Sequence, residues 1–143
     1  MAGGQAIDLA NTGNEIDLAE LEYMHILKTG ALIRVAVELG ALAGRALPEA
    51  DFNRLAHYAK CIGLAFQVVD DVLDEAAPTA TLGKTAGKDR EQGKTTYVTL
   101  MGIAGARRLA GELLDEALTA LTPFGERGQR LAQLAEFVVT RGH

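Results

Sequence analysis

Apolar positions in this chain recur every three or four residues, and no stretch alternates convincingly enough to make a strand, so the pattern predicts an all-α fold. The clearest stripe is Phe52, Leu55, Ala59, Ile62, Phe66, Val69 and Leu73, with Asp51 placed to cap the helix that carries it. Ahead of it, residues 2–10 read as the end of a helix closing at the polar turn Asn11-Thr12-Gly13-Asn14. Asp17 and Glu20 have the spacing of a capping box for a helix running to about Leu27. Lys28-Thr29-Gly30 interrupts it, and a second apolar helix runs from Ala31 to about Ala43 before a turn over residues 44–49. Residues 75–94 show little periodicity and much glycine and lysine. Two helices complete the chain, from about Thr96 to Leu121 with irregularity expected at Gly102 and Gly105, and from about Glu126 to Arg141.

Composition narrows the class. A chain of 143 residues with 48% hydrophobic content can bury one core, so the reading is a single all-helical domain over residues 1–143. The net charge of -5, with no basic stripe or aromatic platform, argues against nucleic acid as a partner. No segment reaches the roughly 20 apolar residues of a membrane span, which excludes stable membrane insertion. The lone Cys61 leaves no disulfide framework, which fits a reducing, cytoplasmic setting. The opening residues read like the middle of an element, as if the sequence began inside a larger protein.

Charge placement changes the picture most. Asp70, Asp71, Asp74 and Glu75 crowd the last turn of the long helix, where the helix dipole and their mutual repulsion both oppose them. Without visible compensation, such a cluster calls for a cation, and hard carboxylate oxygens suit Mg²⁺. Asp70 and Asp74 lie one turn apart, and at about 100° per residue Gln67, Asp70, Asp71 and Asp74 share one flank. The competing reading is a solvated acidic helix end. Lys84 and Lys94, on glycine-containing backbone downstream, can return to neutralise a diphosphate held by the metal. A P-loop fails on spacing: Gly87 to Gly93 has five intervening residues and Gly83 to Gly87 three, where that motif needs four. Lys88 and Arg90 read as solvated loop charges. Lys28 and Thr29 set a cation and a hydroxyl beside a glycine able to break the helix. His25 and His57 read as surface residues, and Cys61 as small packing.

Five segments in order resemble one family, the trans-prenyltransferases or polyprenyl synthases, most closely the bacterial farnesyl diphosphate synthases. They are Gly4-Gln5-Ala6-Ile7-Asp8-Leu9, Lys28-Thr29-Gly30-Ala31-Leu32, Gly63 through Asp74, Thr79 through Lys84, and Gly93-Lys94-Thr95-Thr96-Tyr97. The resemblance implies the C-terminal half of the isoprenoid synthase helical bundle, with the acidic run as the second of two aspartate-rich motifs. The first motif, and the upstream basic residues that hold isopentenyl diphosphate, are missing from this sequence. The implied reaction joins isopentenyl diphosphate to an allylic diphosphate, dimethylallyl or geranyl, as part of a larger enzyme. Asp70, Asp71 and Asp74 would hold Mg²⁺, and Asp8 a metal-bound water. Lys28, Lys84 and Lys94 would contact diphosphate, while Thr29, Gln67 and the Lys28 carbonyl would face the carbocation. Arg141 resembles the family's basic tail, but its surroundings match poorly and it is not counted in the site. Expected partners are these substrates and either the missing N-terminal half or a second copy, with an exposed apolar face where they pack. Two alternatives stay open: a non-catalytic diphosphate-binding or regulatory module acting with a partner synthase, and terpene cyclisation on a related fold.

Overall fold

The computed structural model describes residues 2–11, 13–44, 46–76 and 94–141, and every regular element among them is helical. In chain order these are α1 (Ala2–Ala10), α2 (Leu18–His25), a π-helical turn (Ile26–Gly30), α3 (Ala31–Ala43), α4 (Glu49–Ala76), α5 (Tyr97–Leu121), a 3₁₀ segment (Thr122–Gly128) and α6 (Gln129–Thr140). The expected loop, with Lys84, Lys88 and Arg90, lies almost wholly outside the described residues. No described helix is long and apolar enough to cross a membrane.

The helix boundaries follow local chemistry. Asp17 and Glu20 form the capping box: the Glu20 N–H donates to Asp17 Oδ1 at 2.9 Å, and the Asp17 N–H to Glu20 Oε2 at 3.1 Å. Thr96 and Thr99 cap α5 in the same reciprocal way. Helix α4 starts two residues before the expected cap. The Pro48 carbonyl accepts from the Asp51 and Phe52 N–H groups, and Asp51 sits inside the first turn, paired with Arg54. Gly102 does break the helical path of α5, with φ 72°, whereas Gly105 stays helical and packs on the Met101 side chain. The last helix begins later than Glu126, because Pro123 and Gly125, at φ 54°, hold the preceding turns in 3₁₀ geometry.

Helix α4 is the axis of the fold. It packs most extensively on α5 and also touches α2, α3, α6 and the π turn. One apolar stripe was expected, but burial runs nearly round the helix from Tyr58 to Val69, because neighbours cover it on several sides. The Tyr58 hydroxyl donates to the Leu131 carbonyl at 2.8 Å, which fastens α6 to this axis. By contrast α3 buries no residue, and Leu32, Val35, Leu39 and Leu42 stand in solvent, as an exposed apolar face was expected to.

Candidate active site

Two glycines bring three elements together at the π turn. A Cβ at Gly4 would overlap the Lys28 backbone, and one at Gly63 would meet the Gly30 Cα at 3.1 Å, so α1 and α4 can each close on the turn only without a side chain there. One helical turn beyond each glycine stands a polar residue, Asp8 on α1 and Gln67 on α4, and both are buried. The turn is also where the structure departs from the expected break. Gly30 keeps helical angles, φ -59° and ψ -35°, and the chain widens through the π turn from α2 into α3. Lys28 and Thr29 ride on that widened turn.

Their partners are specific. The Lys28 Nζ donates to Asp8 Oδ2 at 2.6 Å, and the Lys94 Nζ lies 3.7 Å from the same oxygen. Burial by itself would push the Asp8 carboxyl up, but the hydrogen bond and charge of Lys28, with Lys94 and His25 behind it, hold it below the ordinary carboxylate value. The Thr29 hydroxyl donates to Gln67 Oε1 at 2.9 Å, and His25 Nδ1 lies 3.1 Å from that oxygen. The His25 ring stacks on Tyr97, with centroids 5.6 Å apart and planes 21° from parallel. His25 is therefore a buried member of the site, not the surface residue expected, because α2 turns it inward against α4 and α5.

The acidic run divides. Asp71 Oδ2 accepts from the Tyr97 N–H at 2.9 Å and so secures the first turn of α5. Asp70 is exposed and pairs with Arg141 at 3.1 Å, while the same guanidinium donates to the Phe66 carbonyl and lies 3.8 Å from the Phe66 ring centroid. Asp74 is half-buried and makes no hydrogen bond or ion pair among the described residues. The expectation of uncompensated acids is thus corrected: a cation and a helix N-terminus already answer two of them. Gln67, which spacing set on the flank of the acids, is buried and accepts from Thr29.

Among the expected residues, Lys28, Lys94, Thr29 and Gln67 come together around the π turn, with Asp70, Asp71 and Asp74 further along α4; Lys84 lies outside the described residues. Sequence reasoning missed His25 and Tyr97 and left Arg141 out of the site. His25 had one signal, its place three residues before Lys28 in the sequence. Tyr97 stood in a quoted motif with no role, and its buried hydroxyl has no hydrogen-bond partner among the described residues.

Known proteins resemble this arrangement closely. The chain is 46% identical to the farnesyl diphosphate synthase of Escherichia coli, over 99% of this chain and 48% of that one. It superposes on an FPP/GFPP synthase from Zymomonas mobilis with a TM-score of 0.80 and 36% identity, over 96% of this chain and 45% of the other. A geranyltransferase from Helicobacter pylori, solved with magnesium and isoprenyl diphosphate, matches with a TM-score of 0.76 and 29% identity, over 97% of this chain and 45% of the other. The chain spans 42% to 48% of the length of three curated bacterial relatives it matches. The polyprenyl synthetase family model matches residues 1–131, and the chain belongs to that family.

Proposed function

We propose that this chain supplies the C-terminal half of a cytoplasmic short-chain prenyltransferase, which condenses isopentenyl diphosphate head-to-tail with dimethylallyl or geranyl diphosphate. The observation that carries the reading is the cluster formed by the buried Asp8 with the half-buried Lys28 and Lys94, set against Thr29 and the buried Gln67. It places ammonium groups beside a polar, partly water-excluded wall. Lys28 and Lys94, with Lys84, bind the allylic diphosphate and neutralise the charge its oxygens gain as the C–O bond breaks. Asp8 holds the Lys28 and Lys94 heads in place. Thr29 commits its proton to Gln67, which leaves the hydroxyl lone pairs, with the Lys28 carbonyl, to face the allylic cation. Gln67 Oε1 already meets both Thr29 and His25, so its role is to position Thr29. The alkene of isopentenyl diphosphate forms the new C–C bond at that cation, and a proton of the resulting cation passes to a diphosphate oxygen.

The donor set fits Mg²⁺. Asp70 and Asp74 offer hard oxygens one turn apart, Asp74 is uncommitted among the described residues, and Asp71 is more strongly engaged at α5. Mg²⁺ held there would supply positive charge to the diphosphate oxygens. Arg141 occupies Asp70 from the protein side and must share or yield that carboxylate.

The remaining half of the enzyme, or a second copy, packs on the open apolar face of α3. The partial span of the relatives keeps a second reading in view, a module that binds magnesium and diphosphate without turnover. Turnover with isopentenyl and geranyl diphosphates separates them, measured on this chain alone and after mixing with an N-terminal half. Activity on mixing, cut by orders of magnitude in Asp70→Ala, supports the enzyme reading; pyrophosphate binding with no turnover in either case supports the module.

A further inference from the structure

On the opposite part of α4 from the acids, three ligand atoms of different kinds converge from two helices. Cys61 Sγ lies 3.7 Å from His57 Nε2 and 3.7 Å from Glu116 Oε2, and His57 Nε2 lies 3.5 Å from Glu116 Oε2. His57 and Cys61 are one turn apart on α4, and Glu116 comes from α5 across the most extensive helix contact of the fold. Among the described residues this is the group of histidine, cysteine and acidic side chains close enough to share one ion.

The triangle has the dimensions of a metal site. With edges of 3.5 and 3.7 Å its centre lies about 2.1 Å from each corner, which falls among the usual Zn–N, Zn–O and Zn–S bond lengths of about 2.0 to 2.3 Å. The chemistry of the donors agrees. A thiolate, an imidazole and a carboxylate form a borderline-soft set that selects Zn²⁺ over the Mg²⁺ suited to all-oxygen sites. The sulfur is buried at the base, while the His57 and Glu116 side chains are about half exposed, 50% and 58%, so an ion can enter from solvent. His57 and Glu116 line a surface cleft together with Asn53, Arg54, Asp115 and Thr119, which leaves the fourth position to water. The prenyl-transfer chemistry proposed above uses none of them.

We propose that His57, Cys61 and Glu116 bind one zinc ion that clasps α4 to α5. The thiol proton leaves to solvent as the sulfur–metal bond forms, and the ion replaces weak contacts between these side chains with coordinate bonds spanning the two helices. The clasp stiffens the helix that carries Gln67 and the acidic run, from the side remote from them.

Cobalt(II) is the probe, because a cobalt–thiolate bond gives a charge-transfer absorption that oxygen ligands lack. Titrated into the full chain without magnesium, Co²⁺ is expected to give this band with saturation at one equivalent, and Zn²⁺ to displace it and raise the thermal midpoint. Cys61→Ser should abolish the band. His57→Gln and Glu116→Gln, which alter exposed side chains and spare the fold, should each weaken binding at least tenfold, while Asp70→Asn with Asp74→Asn should leave the band in place. Absence of a band at stoichiometric cobalt would overturn the assignment. So would a band undiminished in the His57→Gln, Glu116→Gln double variant, or one lost with Asp70 and Asp74 instead.

Discussion

Helices α3 and α4 make an instructive pair. Residue for residue α3 is the more apolar, yet it buries nothing, whereas α4 buries most of its middle, including Gly63 and the polar Gln67. Leu32, Val35, Leu39 and Leu42, 48% to 68% exposed, follow one another at spacings of three and four and so form one face. Apolar content therefore does not decide burial in this molecule; neighbours do. Where neighbours exist, α4 can carry polar chemistry inward against the π turn. Where they do not, α3 presents a surface suited to more protein.

Core truncation gives the widest expected separation between the two helices. Ile62→Ala on α4 should lower the unfolding free energy by about 2–5 kcal/mol, while Leu39→Ala on α3 should change it by no more than about 0.5 kcal/mol. Equal losses in denaturant melts would mean that α3 is covered in solution. If a second copy covers it, Leu39→Glu should shift the sedimenting species toward monomer with helicity retained. Overpacking comes next. Gly63→Val forces a branched side chain against the Gly30 backbone and should destabilise by about 1–3 kcal/mol. An unchanged denaturation midpoint would show that α4 and the π turn are not so closely apposed.

Acid should act more gently, and on the side of α4 that carries the site. Because the folded Asp8 carboxyl is held below its unfolded value, its contribution is complete above the ordinary carboxylate value and is lost as the pH falls through the lower folded one. Asp8→Asn should flatten that part of the stability profile relative to the parent chain; parallel profiles would deny the Lys28 pairing. A small gain is expected at Gly40 on α3, where a Cβ would meet nothing within 4 Å. Gly40→Ala should stabilise by up to about 1 kcal/mol through helix propensity, and a loss would again point to a covered face.

How far the sequence disclosed this is clear from single residues. Capping at Asp17, the start of α5 near Thr96 and the distortion at Gly102 were legible because each depends on chemistry within a few positions. The chief core helix was legible from its stripe. Spacing gave the angle of Gln67 but not its surroundings, so its inward turn toward Thr29 and His25 was hidden in contacts 38 and 42 residues away. Arg141 was harder still: its bond to Asp70 spans 71 residues, and the periodicity of neither helix encodes it. The widening at Lys28-Thr29-Gly30 read as a break because a glycine beside polar residues signals interruption equally well in either geometry.

The central claim is that the ammonium groups at the π turn and the carboxylates of α4 grip one diphosphate through magnesium. Calorimetric titration of inorganic pyrophosphate into the chain, with and without Mg²⁺, tests it most directly. Heat should appear only when magnesium is present and should vanish in both Lys28→Ala and Asp70→Ala. Binding that ignores magnesium, or survives either substitution undiminished, would contradict the account.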